Sequence, residues 1–360
     1  MRSECIRVTG GAGFIGSNRN FVLDWIKHEQ ARVVVLDNLT YAGNLQNLDG
    51  FLDGFADGLV KGDIGDRALV RELLLKYQPQ AVVNFAAESH VDRSILGPAD
   101  FIQTNIVGTF NLVDEVRSFW LGLQGSISTD FRFLHVSTDE VYGSLTASDR
   151  PFTEATAYAP NSPYAASKAA SDHLVRAYRQ TYGLPTLTTN CSNNYGPFQF
   201  PEKLIPTMTL NALEGKPLPL YGDGLNVRDW LHVSDHCAAI RRVLRHGQPG
   251  ETYNIGGDSQ RSNLDVVLAI CGSLDDLRPE SPYVPHAQTL TFVADRLGHD
   301  RRYAVDSSKI KRELGWRAET SCERGIRATV KWYLDHQSWV DNIRTGAYQQ
   351  WDERKYGAHG

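Results

Sequence analysis

The sequence lacks the features that a membrane or a nucleic-acid partner would require. No apolar run approaches the ~20 residues of a membrane-spanning helix, and 42 acidic against 37 basic residues give a net charge of −5. Such a charge offers no basic field to nucleic acid or anionic lipid. Because strand and glycine signals begin before Gly10, we also expect no signal peptide. We therefore predict a protein without membrane or nucleic-acid partners.

Cysteine and metal-ligand patterns are also sparse. The five cysteines are odd in number and form no C-x-x-C pair, which indicates reduced thiols and a cytoplasmic location. His232 and His236 could share one helix face, but no third ligand follows at a suitable spacing. We interpret both histidines as structural and predict no metal site.

A glycine-rich loop follows the first predicted strand. Gly10, Gly13 and Gly16 allow a tight turn and a close approach of the backbone to a pyrophosphate at a helix amino terminus. The next apolar strand ends in Asp37, about 20 residues beyond the last glycine, as a dinucleotide fingerprint requires. We expect this acid to face the surface and bind the adenosine ribose. No Arg or Lys follows in residues 38–41, so NAD is favoured over NADP.

The apolar run at residues 131–136 predicts a buried parallel strand with polar residues at its carboxyl end. Ligands bind at that edge of such sheets, which places Thr138, Asp139 and Glu140 at a site. A turn with a helix cap is the simpler alternative. Both acids can reach one substrate only if the chain turns after Thr138, because neighbouring residues of a strand point to opposite faces.

The next predicted helix, residues 162–183, carries Tyr164 and Lys168 on one face. This spacing also arises by chance in many helices. If the pair is catalytic, the pKa of the phenol must fall by about 2–3 units from ~10, and we expect Lys168 and a nicotinamide charge to lower it. This helix and the one at residues 98–120 carry enough apolar surface for a homodimer, although core packing explains it equally well.

Alternating strands and helices predict an α/β protein with a doubly wound parallel sheet. We assign residues 1–190 to a Rossmann domain, with 226–258 returning to it. Residues 191–225 and 259–335 are predicted to form a smaller mixed α/β domain for substrate. Residues 336–360 form a tail whose role the sequence does not reveal.

Seven motifs in this sequence resemble the extended short-chain dehydrogenase/reductase family, and most closely its nucleotide-sugar 4,6-dehydratases. They are TGGAGFIG (9–16), LTYAGN (39–44), AAESHVDRS (86–94), STDEVYG (137–143), YAASK (164–168), NCSNNYGP (190–197) and DRLGHDRRY (295–303). The glycine loop and the Tyr-Lys pair mark the superfamily. The Thr-Asp-Glu run is typical of dehydratases acting on dTDP-glucose, because epimerases lack paired acids and GDP-mannose dehydratases resemble Ser-Glu or Thr-Glu there.

The resemblance and the loop pattern together imply a set of site residues. Those expected to bind NAD are Gly10, Gly13, Phe14, Ile15, Gly16, Asp37, Asn38, Leu39, Thr40, Asp63, Ile64, Ala86, Ala87, Ser89, Thr104, Tyr164, Lys168 and Asn194. Those expected to bind the nucleotide sugar are His90, Thr138, Asn193, Lys203, Leu204, Pro219, Leu220, Tyr221, Arg228, Asn263, Arg296 and His299. The catalytic set is Thr138, Asp139, Glu140, Tyr164 and Lys168.

The resemblance implies an NAD-dependent hydro-lyase of deoxysugar biosynthesis, with dTDP-glucose as substrate. Alternatives are a nucleotide-sugar 4-epimerase, a dehydratase of another nucleotide sugar, or a non-catalytic NAD-binding protein on the same fold. Residues 17–20 lengthen the family's usual spacing after Gly16. We nevertheless expect the first helix to form.

Overall fold

Residues 5–48 and 58–345 are described by a computed structural model, in which twelve strands are found. The strands are β1 Cys5–Thr9, β2 Arg32–Asp37, β3 Leu59–Lys61, β4 Ala81–Asn84, β5 Arg132–Thr138, β6 Thr186–Cys191, β7 Asn193–Tyr195, β8 Leu218–Tyr221, β9 Val227–His232, β10 Thr252–Ile255, β11 Gln260–Ser262 and β12 Leu290–Val293.

Helices connect and cover these strands. The α-helices are α1 Leu23–Glu29, α2 Arg67–Tyr77, α3 Val91–Leu96, α4 Ala99–Phe101, α5 Thr109–Leu121, α6 Ser126–Asp130, α7 Pro163–Tyr182, α8 Leu204–Leu213, α9 Val233–His246, α10 Asn263–Leu277, α11 Ser308–Leu314, α12 Cys322–Asp335 and α13 Gln337–Arg344. Three 3₁₀ turns (Leu45–Leu48, Asp139–Tyr142, His286–Thr289) and two π-helical segments (Asn18–Val22, Ile102–Gly108) complete the described elements. Within these ranges, none of the helices has the length and apolar character needed to cross a bilayer.

The large sheet is parallel throughout, with the strand order β10-β6-β5-β4-β1-β2-β3. Strands β2 and β3 are added in turn on one side of β1. The chain then returns to the other side of β1, where β4, β5, β6 and β10 are added in turn. The order therefore reverses between β1 and β4, and ligands bind at the carboxyl ends beside such a reversal. The predicted doubly wound parallel sheet is confirmed.

Five of the strands that follow β6 in the chain form two smaller sheets. Strand β9 pairs in parallel with β7 and antiparallel with β11, while β8 pairs in parallel with β12. Within the segment 226–258, β10 joins the large sheet but β9 joins one of the smaller sheets. The domain boundaries drawn from the sequence stay a prediction, and part of the tail, residues 346–360, lies outside the described residues.

The predicted long helix over residues 98–120 is confirmed, with an irregular middle. Segments α4, Ile102–Gly108 and α5 follow one another without a break, and the middle one is π-helical. The first helix also forms despite the longer spacing: its opening turn, Asn18–Val22, is π-helical and runs straight into α1. A π turn accommodates an extra residue, which explains how the longer loop is absorbed.

Both faces of the large sheet are buried. One face packs against the first helix and α9, where Phe21, Trp25 and Ile240 are inaccessible to solvent. The other packs against α2, α5 and α7, with Leu112 and Val116 equally buried. Burial on both faces explains why the interior of β2, residues 33–36, is a continuous run of apolar residues.

Leu134, in the middle of β5, has no exposed side-chain surface. We expect Leu134→Ala to lower the free energy of unfolding by about 3 kcal/mol, because a cavity replaces the removed methyl groups. The control is Leu75→Ala on α2, where the leucine is 59% exposed. Thermal unfolding should show a large fall in midpoint for the first variant and little change for the second. Equal midpoints would contradict the placement of β5 in the core.

Candidate active site

The glycine loop after β1 forms a cradle made of backbone. Gly10 has φ +68°, and a Cβ added there would lie 2.7 Å from the backbone nitrogen of Ala86. A Cβ on Gly16 would lie 2.5 Å from the carbonyl oxygen of Gly10. Side chains at these positions would collide with the backbone or fill the cradle, so the loop suits a pyrophosphate that approaches main-chain N–H groups.

Asp37 is buried rather than facing the surface as expected. Its Oδ2 accepts a hydrogen bond from the Ala12 amide at 2.8 Å, and its Oδ1 accepts one from the Leu39 amide at 2.8 Å. Burial raises the pKa of this carboxyl, while the two amide donors oppose the rise. Asp37 therefore fixes the glycine loop to the end of β2.

A deep cleft runs along the carboxyl ends of the large sheet, with a volume of about 370 Å³. Most predicted cofactor residues line it: Gly10, Gly13, Phe14, Ile15, Gly16, Asp37, Asn38, Thr40, Asp63, Ile64, Ala86, Ala87, Ser89, Thr104, Tyr164, Lys168 and Asn194. Leu39 does not line it but packs on the core beside it. At the outer end Asn38 donates to Asp63 at 3.0 Å, which holds the loop after β3 against the cleft.

All five predicted catalytic residues line the same cleft. Thr138 ends β5 and caps a 3₁₀ turn, and its Oγ1 accepts a hydrogen bond from the Glu140 amide at 3.3 Å. Asp139 and Glu140 lie on this turn. The chain turn that both acids need in order to reach one substrate is therefore present.

The electrostatic surroundings separate the two acids. Burial raises the pKa of Asp139 well above its usual range, and the neighbouring charge of Glu140 raises it further. Burial also raises the pKa of Glu140, but three cations oppose this rise. They are Arg296, Lys203 and Arg228. Of two adjacent carboxyls, Asp139 therefore holds a proton more firmly, which is the arrangement of an acid beside a base.

Helix α7 supplies the Tyr-Lys pair. Ser162 caps this helix through the Ala165 amide at 3.1 Å, and Tyr164 and Lys168 are both buried on its inner face. The Lys168 ammonium donates to the Val136 carbonyl oxygen at 2.8 Å. The expected lowering of the Tyr164 pKa is wrong for the chain alone, because burial and the Glu140 charge raise that pKa well above its usual value, opposed by a hydrogen bond from Thr138.

The predicted sugar-nucleotide residues extend beyond the cleft. Asn193, Lys203 and Leu204 line the cleft itself. Arg296 and Tyr221 meet at Asp92, which accepts a bond from Tyr221 at 3.3 Å and pairs with Arg296 at 3.2 Å. One of the sequence motifs contains Asp92, but nothing in it indicated these contacts with residues 129 and 204 positions later in the chain.

Four more of the predicted sugar-nucleotide residues lie outside the cleft lining, and each has contacts with other parts of the protein. Arg228 packs over the Tyr303 ring and donates to the Asp300 carbonyl, while His299 contacts Asp295 at 2.6 Å. His90 caps α3 and lies beside Glu202, and Asn263 begins α10.

Strand β8 holds Pro219 and Leu220. The Leu220 side chain is buried in the core of the smaller domain, so only its main chain is left for a ligand.

Sequence reasoning did not single out two polar residues with buried side chains, Glu202 in the cleft wall and Asn105 outside the cleft lining. Glu202 is buried, accepts a bond from Tyr41 at 3.1 Å, and has its pKa raised by burial to about 7. Asn105, in the π-helical segment, accepts a hydrogen bond from the Glu88 amide and donates one to the Glu88 carbonyl oxygen, both at 2.9 Å. It also donates to the Ser167 hydroxyl at 2.8 Å. A buried polar residue within an apolar helix is the one signal that could have identified Asn105.

The two histidines considered as metal ligands have structural contacts. His232 caps α9, and the His236 ring contacts Asn194 Oδ1 at 2.8 Å, which positions that amide at the cleft. In the ranges 5–48 and 58–345, no group of three potential ligands comes close enough to hold a metal ion.

Comparison with known proteins agrees with this geometry. The family model described as GDP-mannose 4,6 dehydratase matches residues 8–329. The dTDP-glucose 4,6-dehydratase of Xanthomonas campestris pv. campestris (strain B100) is 61% identical over 342 residues, which cover 95% of this chain and 96% of the relative.

Two solved dTDP-glucose 4,6-dehydratases have the same fold. The enzyme from Streptomyces venezuelae, solved with NAD bound, is 45% identical with a TM-score of 0.83, over 94% of this chain and 99% of that one. The enzyme from Bacillus anthracis str. Ames, in complex with NAD, is 43% identical with a TM-score of 0.82, over 95% and 100%.

Fold, glycine cradle and Tyr-Lys pair together define an extended short-chain dehydrogenase/reductase. Within that class, the identities and the paired acids on the turn after β5 are more specific. The chain belongs to the dTDP-glucose 4,6-dehydratase family.

Replacement of Asp37 tests the cradle. Asp37→Ala leaves the Ala12 and Leu39 amides without their acceptor, so we expect less NAD in the denatured supernatant of the purified protein and a lower thermal midpoint. Asp37→Asn keeps one acceptor oxygen and should lie between. Unchanged NAD content in the alanine variant would remove Asp37 from the cofactor site.

Proposed function

We infer that the chain converts dTDP-glucose to dTDP-4-keto-6-deoxyglucose and water, with NAD as a recycled cofactor, as a step of deoxysugar biosynthesis. The observation that carries this conclusion is the pair of acids with separated pKa values on one turn, beside Tyr164 and Lys168 in the same cleft. Elimination of water needs an acid and a base in addition to the Tyr-Lys pair, whereas epimerisation at carbon 4 needs the Tyr-Lys pair alone. The 4-epimerase alternative is therefore disfavoured.

The chemistry explains why one cleft combines these groups. The hydrogen on carbon 5 is not acidic until carbon 4 is a ketone. When bound, NAD⁺ would supply the acceptor for a hydride from carbon 4 and, once reduced, the donor of a hydride to carbon 6, and its positive charge would oppose the effect of burial on the Tyr164 pKa. The residues that would hold it are the glycine cradle, Asp37 and Lys168.

The residues that act in the oxidation step lie on α7 and at the end of β5. Tyr164, as a phenolate, takes the proton from the hydroxyl at carbon 4 and becomes a phenol, and the Lys168 charge favours the phenolate that this step requires. The Thr138 hydroxyl accepts from the Glu140 amide and donates to Tyr164, which lowers the Tyr164 pKa, and we expect the same hydroxyl to reach the oxygen on carbon 4 when substrate is bound.

The elimination step falls to the 3₁₀ turn. Ionised Glu140 removes the proton from carbon 5, and the electron pair forms the second bond between carbons 5 and 6. When carbon 6 receives the hydride, Glu140 gives a proton back to carbon 5, so the double bond is saturated again. The hydroxyl on carbon 6 leaves as water with the proton of Asp139. Burial keeps that proton on Asp139 near neutral pH, and its Oδ2 has no hydrogen-bond partner among the described residues.

A homodimer is part of the proposal. The inner face of the helix spanning 99–121 is buried, yet its outer face exposes Ile102 (51%), Val107 (36%) and Phe110 (37%). Apolar residues grouped on one outer face suit an isologous contact between two copies. The five cysteines, all unpaired and buried, suit the reducing cytoplasm as the location.

The activity is tested directly by incubation of purified protein with dTDP-glucose and no added NAD. We expect a product lighter by one water, because NAD that returns its hydride in each turnover stays bound. UDP-glucose serves as the control for base preference. A product of unchanged mass and inverted configuration at carbon 4 would instead indicate an epimerase.

Separate variants test the acid and the base. In Glu140→Gln, oxidation at carbon 4 should persist while proton removal stops, so absorbance of reduced cofactor should accumulate on addition of dTDP-glucose. Exchange of the carbon 5 hydrogen with deuterated water should disappear. Exchange at the parent rate would remove Glu140 from the role of base.

In Asp139→Asn, departure of the hydroxyl from carbon 6 should slow, because the amide cannot donate an acidic proton. A 6-fluoro analogue needs less proton assistance and should recover much of the lost rate. Tyr164→Phe is the matched control, since it should block the earlier oxidation with either substrate. An equal loss with both leaving groups in Asp139→Asn would contradict the role of acid.

A further inference from the structure

A buried polar network lies behind the Tyr164–Lys168 pair, on the side away from the cleft. Its centre is His135 on β5, whose side chain has no exposed surface. The His135 Nε2 atom lies 3.4 Å from Lys168 Nζ, 3.2 Å from Ser171 Oγ and 3.3 Å from Asp172 Oδ1. The steps of the proposed reaction do not use this histidine.

The hydrogen bonds around His135 assign its tautomer. Asn84 Oδ1 accepts from the Thr9 hydroxyl at 2.6 Å, so the amide nitrogen of Asn84 faces His135 Nδ1 at 3.1 Å. His135 Nδ1 is then an acceptor, and the ring hydrogen is on Nε2, directed towards Asp172 and Ser171. Burial lowers the pKa of His135 to about 4, so the ring is neutral when it bridges α7 and β5.

Asp172 is a buried acid held in one orientation. Its Oδ2 accepts hydrogen bonds from Ser137 at 2.9 Å and Tyr158 at 3.0 Å. Its Oδ1 has no hydrogen bond with good geometry among the described residues, and the nearest contact given for it is the His135 ring. The side chain is 4% exposed and is absent from the cleft lining.

The ionisable groups facing Lys168 are His135 on β5, Cys191 on β6, and Tyr164 and Asp172 on α7. Burial lowers the pKa of Lys168, and the charge of Asp172 is the largest influence opposing that fall. Burial raises the pKa of Cys191 to about 12 and that of Tyr164 well above its usual value. Near neutral pH, neither the thiol nor the phenol supplies the negative charge that a buried ammonium needs.

We propose that Asp172 and His135 are positioning residues for the reaction: Asp172 supplies the buried negative charge that keeps Lys168 an ammonium, and His135 fixes the spacing between them. This inference rests on the proposed function, since the ammonium matters through its effect on Tyr164. Lys168 is held from behind by the protein and does not depend on the ligands in the cleft for its charge.

The test is Asp172→Asn, which removes the charge and retains the shape. Without that charge the pKa of Lys168 falls further, so the ammonium is lost at lower pH. In the pH dependence of kcat, we expect the alkaline limb to move to lower pH by roughly 1 unit, which is the smallest pKa shift usual for the loss of a close opposite charge. The KM for dTDP-glucose and the NAD content of the denatured supernatant should stay near the parent values, because Asp172 does not line the cleft.

Tyr158→Phe is the matched control. This variant removes one hydrogen-bond donor to Asp172 Oδ2 but keeps the carboxylate. If Asp172 had only a structural role, Tyr158→Phe and Asp172→Asn would lose similar amounts of thermal midpoint, and neither would shift the alkaline limb of the pH profile. A parental pH profile in Asp172→Asn would overturn the proposal. If the parent enzyme itself forms no dehydrated product, the proposed function fails first, and the two failures are thus distinguished.

A second variant keeps the proposal testable if Asp172→Asn does not fold. His135→Gln removes the ring that fixes the spacing but leaves the Asp172 charge. We expect kcat to fall at least fivefold with KM changed less than twofold. The alkaline limb of the pH profile should move to lower pH by less than in Asp172→Asn, because the charge remains but its distance from Lys168 is no longer fixed. A parental kcat in this variant would overturn the assignment of His135.

Discussion

The bond between the Lys168 ammonium and the Val136 carbonyl joins the two elements that carry the chemistry. It ties α7 to β5 two residues before Thr138, and so sets the distance between the Tyr-Lys pair and the turn that holds both acids. An ammonium buried at this junction needs several partners, because removal of a charge from water is costly. The network of Asn84, His135 and Asp172 follows from that need.

Local sequence patterns were sufficient to predict much of this arrangement. The glycine loop, the apolar strand before Thr138 and the capped helix after Ser162 each have a local cause, whether backbone freedom, burial on both sheet faces or a side-chain cap. The positions of Tyr164 and Lys168 on one helix face follow from helical periodicity alone. The motifs that follow β1, β2, β4, β5 and β6 lie together for a different reason, since each comes after a strand of the parallel sheet and the carboxyl ends of those strands meet at one edge.

Other features depend on contacts between distant parts of the chain, and local patterns do not encode them. Asp37 was expected at the surface, but it is buried, and the glycine loop packs against it through the Ala12 amide. Asp92 connects to Arg296 across 204 positions. The rise in the Tyr164 pKa arises from burial beneath the assembled domains, which opposes the effect expected from Lys168 alone. In each case tertiary packing decides the environment of a residue whose identity was correctly noticed.

The π-helical segment Ile102–Gly108 shifts the phase of the long helix on which it lies. Each residue of an α-helix advances the direction of the side chain by about 100°, and the wider hydrogen-bonded ring of a π segment takes up one residue more. Thr104 can therefore line the cleft and Asn105 can bond Glu88, while α4 before them and α5 after them keep their own apolar faces on the core. Deletion of one residue here would make the helix more regular and would also rotate either its amino-terminal half or its carboxyl-terminal half out of register with the sheet.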